Sequence, residues 1–211
     1  MKSVQLPRGP LPTFENKDSK VYLPMTAVIA VETYQTPERG VFQAFVSSTH
    51  LCGLVKAILP VVNQRFTVVG EGVALQGSLW EIYAIFRESG FAEKVSRSIL
   101  ETMSEVSIQR LSCVTHHSST QRVALLLLEA QIAFGEERAI TLSQQQIARF
   151  LGCRRATVSV ALESLARDEI IDIGRSRITI LDTHRVRRTA CECIEAYLLS
   201  LKRYREKIHR S

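Results

Sequence analysis

Apolar positions in the first third of the chain come in short β-branched runs, at residues 21–23, 27–32, 41–46, 66–69 and 73–75, separated by turn residues. That texture predicts an antiparallel β domain. From Ser78 the period lengthens to that of helices. Ala92, Val95, Ile99, Met103 and Val106 recur at steps of three and four, which predicts a helix over 91–114 with one apolar stripe. A second helix is expected to begin at Ser118, where Gln121 completes a capping box, and to end at Gly135. All six prolines lie within the first 60 residues, so the change of period coincides with a change of composition.

Residues 143–167, SQQQIARFLGCRRATVSVALESLAR, have the spacing of a helix-turn-helix. Ile147, Ala148 and Leu151 precede Gly152 on one helical face, and Cys153, Val158 and Ala161 follow as the matching apolar set. Glycine at the bend admits the left-handed conformation that a tight turn requires. Ala148 is small enough for the second helix to cross close to the first. Ser143 and Gln146 form a capping box that starts the first helix. The next stretch, EIIDIGRSRITILD, reads as a β-hairpin turning through Gly174-Arg175-Ser176. A hairpin directly after a helix-turn-helix is a wing, and Arg175 and Arg177 place positive charge at its tip, where phosphate contacts are made.

Charge agrees with this reading. The chain carries a net charge of +6, but residues 136–211 alone hold 15 Lys/Arg against 10 Asp/Glu. The excess base therefore sits with the helix-turn-helix, as expected of a polyanion binder. The longest apolar run, 123–128, is too short to span a bilayer. The first residues, MKSVQLPRGPLP, lack the apolar segment of a secretory signal. Five scattered cysteines show no disulfide-scaffold spacing, so a reducing cytoplasm is the expected setting and no membrane partner is.

Candidate chemistry is sparse. Neither a glycine-rich phosphate loop nor an HExxH motif occurs, and the adjacent Asp168 and Glu169 do not converge, so no enzyme is expected. Cys113, His116 and His117 have a C-x-x-H-H spacing, but a helical pair supplies two ligands where a structural zinc needs four. Cys191 and Cys193, two apart on an expected helix, would point to different faces. Cys153 reads as a small buried apolar residue. No metal and no cofactor are therefore expected. The basic run at 202–210 reads as a solvated helical tail or as an extra set of phosphate contacts.

The order of β domain, long helix, capped helix and winged helix-turn-helix resembles the cyclic-AMP receptor protein and fumarate-nitrate regulator (Crp/Fnr) family of bacterial transcription regulators. ITLSQQQIARFLGCRRATVSVALESLARDEIIDIGRSRITILD is similar to that family's DNA-binding domain throughout, and SSTQRVALLLLEA to the helix before it. KVYLPMTAVIAVETY and GVFQAFVSSTHLCGL more loosely resemble strands of its sensor β-roll. The resemblance implies an α+β chain with a β-roll over 1–90, a dimerisation helix over 91–117 and a winged helix-turn-helix over 118–211. It also implies a homodimer on a palindromic operator in double-stranded DNA, with the second helix in the major groove and RNA polymerase as a candidate partner.

Departures from the family pattern shape the site expectations. Where family members often read Ser-Arg-Glu-Thr-Val and then a further Arg, this chain has Arg154-Arg155-Ala156-Thr157-Val158, then Val160. Arg155 is kept and suits a bidentate contact to guanine. Arg154, Arg155, Thr157 and Ser159 are the expected base readers. Ser143, Gln144, Arg175 and Arg177 are the expected phosphate contacts. Val95, Ile99, Met103 and Val106 would form the dimer seam, although such a stripe could equally pack on its own β domain. Family members that bind cyclic nucleotides carry Gly-Glu and Arg-Ser-Ala, where this chain has Gly53-Leu54 and Asn63-Gln64-Arg65-Phe66. A response to cAMP is not expected, the effector is open, and the sensor reads as degenerate, with few strands expected before KVYLP. The alternative is a protein–protein interaction module on the same scaffold, which salt-insensitive binding without DNA retention would favour.

Overall fold

The computed structural model describes residues 1–12, 20–36, 39–48, 50–53, 63–78, 80–81, 84, 91–137, 139–175 and 177–209. They fall into two compact units, one made of Met1–Val106 with Leu199–Ser211, the other of Ser107–Leu198.

The first unit is an antiparallel β assembly. Its strands are β1 (Lys2–Leu6), β2 (Gly9–Pro10), β3 (Lys20–Pro24), β4 (Val28–Thr36), β5 (Arg39–Val46), β6 (Asn63–Gly70) and β7 (Gly72–Ser78). They form two sheets with orders β1-β7-β3 and β2-β6-β4-β5. Inward-facing Leu6, Tyr22, Ile29, Val31, Phe66, Val68 and Ala74 share one core, as the period-2 alternation of strands requires. The five strands expected from the apolar runs are all present. Two more precede them, which corrects the expectation of a chain short of strands before KVYLP. β1 pairs with β7 in register from Lys2↔Gln76 to Leu6↔Gly72, and Gly9 and Pro10 pair with β6. The prolines at 7, 10 and 12 hide this in the sequence. β2 is an edge strand, the position where a proline's missing N–H does no harm. β6 and β7 are joined through Glu71 alone, and a Cβ at Gly72 would lie 2.6 Å from the Ala27 nitrogen, so only glycine fits this close approach.

The long helix α1 (Phe91–His116) passes from the first unit into the second. α2 (Ser119–Phe134), α3 (Gln144–Leu151), α4 (Arg155–Arg167), β8 (Ile171–Gly174), β9 (Arg177–Ile180), α5 (Thr183–Thr189) and α6 (Cys193–His209) follow. α2 starts and stops where its sequence signals stand. Ser118 and Gln121 satisfy each other's backbone in a capping box, and the Gly135 N–H closes the last turn on the Gln131 carbonyl.

The α1 stripe needs a correction at Val106. The side chains of Ala92, Val95 and Ile99 lie outside the described residues; Met103 is half-buried and Val106 buried. Stepping on from Val106 by four, three and four reaches Arg110, Cys113 and His117, the buried or half-buried face within the second unit. Val106 is thus already covered within one chain. Among the described residues, the large apolar ones that α1 exposes are Leu100, Ile108, Leu111 and Val114, on another face. A single-sequence period cannot say which of two apolar faces points inward. The helical tail is also not wholly free: in the first unit Ser200 Oγ donates to the Glu105 carboxylate, and Arg203 lies 3.4 Å from it.

Of the ion pairs among the described residues of the second unit, one has a fully buried carboxylate. Arg110 of α1 donates from both terminal nitrogens to Glu129 of α2, at 3.0 and 2.6 Å, and Glu129 is fully buried. Burial pushes the Glu129 carboxyl above its ordinary range, with Arg110 countering part of the shift. Burial also opposes the Arg110 charge, but the Glu129 carboxylate outweighs it and the guanidinium is held up. Glu129→Ala is expected to lower unfolding stability by about 3–5 kcal/mol, because it strands a buried cation. Arg110→Met with Glu129→Met should recover most of that loss in a urea denaturation series.

Candidate nucleic-acid interface

The helix-turn-helix is assembled by local signals that the structure realises one by one. Ser143 caps α3: its hydroxyl accepts from the Gln146 N–H at 3.2 Å, while the Gln146 side chain accepts from the Ser143 N–H at 2.9 Å. At the other end Gly152 takes the left-handed conformation, φ 62°, ψ 36°. The Cys153 N–H then reaches the Ala148 carbonyl at 3.0 Å and the Gly152 N–H the Arg149 carbonyl at 3.3 Å. This double closure is a Schellman motif, and it aims the chain into α4. Arg122 of α2 donates to the Leu151 carbonyl, satisfying another orphan acceptor at the same helix end. Burial pushes the thiol of half-buried Cys153 up, as suits a packed apolar residue.

α4 buries Val158, Ala161, Leu162 and Leu165 and leaves Arg154, Arg155, Ala156, Val160, Glu163 and Arg167 exposed. Its N-cap is Arg154, which makes no side-chain capping bond, so the first N–H groups of the helix are left for a ligand or water. Positive charge and open donors therefore meet at one helix end. Of the expected base readers, Arg154 and Arg155 are exposed and Thr157 is half-buried. Ser159 donates its hydroxyl proton to Glu163 Oε1 at 2.8 Å, leaving it acceptor capacity only.

The wing forms as read. Ile171↔Ile180 through Gly174↔Arg177 pair antiparallel, and Ile140 joins Ile178 in a further bridge with bonds of 2.8 and 2.9 Å, tying the loop before α3 to the wing. A Cβ at Gly174 would lie 2.7 Å from Arg177 Nε, so glycine here leaves room for that arginine to lie across the hairpin. Arg175 and Arg177 are exposed. Among the described residues, none of Arg154, Arg155, Arg175 and Arg177 has an ion-pair partner. Unpaired guanidiniums on a helix N-terminus and a wing suit a polyanion. Ser143 and Gln144 sit differently: the Ser143 hydroxyl is spent on its own capping box, and Gln144 is half-buried.

Two other readings concern residues away from this face. Arg65 lies within β6 with its guanidinium 5.2 Å from the Tyr34 ring centroid, in a cation–π contact. The expectation that Cys191 and Cys193 share a helix and diverge is corrected. Cys191 lies outside α6, two residues before its first residue Cys193, and both converge on Cys113 and His117. His116, the other histidine of the C-x-x-H-H spacing, is exposed and outside this group.

Comparison with known proteins fits this geometry. Residues 121–189 match the model of the Crp-like helix-turn-helix domain. The FixK2 structure from Bradyrhizobium japonicum superposes with a TM-score of 0.71 at 15% identity, covering 90% of this chain and 97% of that one. TTHB099, a CRP-family transcriptional regulator from Thermus thermophilus, gives 0.71 at 20% identity, covering 93% and 100%. The c-di-GMP responsive regulator CLP from Xanthomonas campestris gives 0.60 at 12%, covering 85% and 93%. No curated protein matches in sequence. The chain is a winged-helix protein with the DNA-binding fold of a transcription regulator. That fold is the one shared by Crp/Fnr regulators, with a Crp-like helix-turn-helix at its C-terminal side.

Helix termini carry this site, and their strength is measurable. Ser143→Ala should lower stability by about 1 kcal/mol through the lost cap. Gly152→Ala meets no atom within 4 Å, so its cost should be the backbone term alone, about 1–2 kcal/mol, in thermal unfolding.

Proposed function

We propose that this protein is a homodimeric transcription regulator that reads a palindromic operator in the cytoplasm and takes no catalytic part. The observation that carries the reading is the set of four unpaired arginines on α4 and the wing. α4 enters the major groove by its N-terminal end, where Arg154 and Arg155 project. Arg155 reads guanine O6 and N7, and Arg154 reads a neighbouring base or steadies a phosphate. Thr157 and the acceptor side of Ser159 add hydrogen bonds. Ala156 and Val160, one turn apart and both exposed, offer only apolar contact, which among base edges suits the thymine methyl group. Arg175 and Arg177 hold phosphates, with the N-terminus of α3 at Ser143 and Gln144 as a further backbone contact.

A helix-turn-helix used in pairs needs its two reading helices about one duplex turn, 34–36 Å, apart. The dimer seam that best suits this is the exposed apolar face of α1, with Leu100, Ile108, Leu111 and Val114. We prefer it to the stripe of Val95, Ile99, Met103 and Val106, because Val106 is covered by its own chain. No response to cAMP is proposed: Arg65 is committed to Tyr34 on a strand, where a cyclic phosphate would need it in a turn of small residues.

Operator selection from random DNA followed by binding across a salt series tests the reading. Arg155→Ala should cost about 1–3 kcal/mol on the selected site and relax preference at one base pair. Arg175→Ala should weaken selected and random DNA alike and reduce the salt slope by roughly 1. Equal losses on both DNAs for both variants would contradict the division of roles. Leu111→Asp should yield a monomer in light scattering, whereas an unchanged mass would move the seam elsewhere.

A further inference from the structure

We infer that Cys113, His117, Cys191 and Cys193 form a binding site for a single zinc ion. This inference is independent of how the protein reads DNA. Each residue offers one ligand atom, and all four atoms lie within 4.8 Å of one another. Two of the six distances among these atoms match the edges of a tetrahedron around zinc. With Zn–S near 2.3 Å and Zn–N near 2.0–2.1 Å, tetrahedral edges are about 3.8 Å between sulfurs and about 3.6 Å from sulfur to nitrogen. Cys113 Sγ and Cys191 Sγ are 3.7 Å apart, and Cys193 Sγ is 3.7 Å from His117 Nδ1. A disulfide would require about 2.05 Å. An iron–sulfur cluster inserts several atoms between its thiolates and would need a wider cage.

The surroundings of the cluster match a metal site as well. His117 presents Nδ1 to the sulfurs, while its Nε2 lies 3.2 Å from Glu192 Oε1. That is the carboxylate–histidine–metal arrangement that fixes ring orientation and raises ligand basicity. Glu192 stands between the two cysteines, so the C-E-C segment supplies two ligands and the support of a third. Gln109 Nε2, buried, donates to the Cys193 carbonyl at 3.1 Å, holding this segment against α1 without any metal. Within the second unit the site joins the end of α1 to the chain between α5 and α6.

Three thiolates and one imidazole close the coordination sphere, so the site has no open position for water and is structural or sensory in kind. Soft sulfur donors in a tetrahedron select zinc over hard cations. Binding is not a redox step: thiol protons leave to solvent as the three Zn–S bonds and the Zn–N bond form.

The full chain, purified under reducing conditions without chelator, should carry about one zinc per protomer by elemental analysis. Replacement by cobalt(II) should produce intense tetrahedral d–d absorption and thiolate-to-cobalt charge transfer. Cys191→Ser should lose both signals; Cys153→Ser, outside the cluster, should keep them. Glu192 is exposed, so Glu192→Ala should fold normally yet bind zinc about 10–100-fold more weakly in a chelator competition. Should the cysteine variants fail to fold, adding zinc to metal-free wild-type protein should still raise its Tm. The inference is overturned if the wild-type chain takes up no zinc, carries iron and sulfide instead, or is isolated with Cys113 and Cys191 in a disulfide. It is also overturned if Cys191→Ser binds zinc as tightly as wild type.

Discussion

The second unit depends on the burial of α2. Every residue from Val123 to Gln131 is buried, so the helix has no solvent face over that stretch and must be covered all round. α3, α4 and α5 all contact it. Arg122 reaches from it to the end of α3, and Gln131 pairs with Thr183 at the start of α5. The helix-turn-helix is therefore not a free-standing hairpin, because its angle is set by a shared apolar post. The one charge buried in that post, Glu129, is what forces α1 to supply Arg110. A carboxylate with no partner at that depth would cost several kcal/mol. Through that pair the last turns of the long helix and the DNA-binding fold are held to one geometry.

Much of this is legible in the sequence because it is written in adjacent residues. Capping boxes at Ser118 and Ser143, the left-handed Gly152 and the wing glycine at 174 each act over three or four positions, and each appears where its spacing puts it. The misses follow from the opposite property. β1 and β2 gain their partners about seventy and sixty residues downstream, and the prolines beside them read locally as breakers. Cys113 and Cys191 are separated by 78 positions, and nothing near either names the other. The C-E-C segment reads as helix, whose geometry would splay its cysteines. The turn at Glu192, which keeps Cys191 out of α6, removes that objection.

The interface is more specialised than the fold that carries it. The scaffold asks only for apolar positions, a glycine and caps, and sequences 12–20% identical to this one meet those demands. The outward face of α4 is not so constrained. Arg154 and Arg155 at its start, with apolar Ala156 and Val160 behind them, make one strongly charged end and one dry patch. On the proposed reading, such a surface would discriminate by what it leaves unsatisfied as much as by what it contacts. A cytosine amino group opposite Ala156 or Val160 would lose its water and gain no acceptor, which is a penalty of the kind that buried unpaired donors incur.

α1 then joins these parts because it has two faces that serve different ends. One face passes through Val106, Arg110, Cys113 and His117 and is spent within the chain, on the Glu129 pair and the sulfur cluster. The other, through Leu100, Ile108, Leu111 and Val114, stays exposed. A rotation of the helix about its axis would move both faces together. Whatever fixes the inner face, whether the ion pair, Gln109 on the Cys193 carbonyl or a metal among the four ligand atoms, therefore also sets the direction in which the outer one points. The cluster lies at the end of that helix, and no cluster residue belongs to the exposed face.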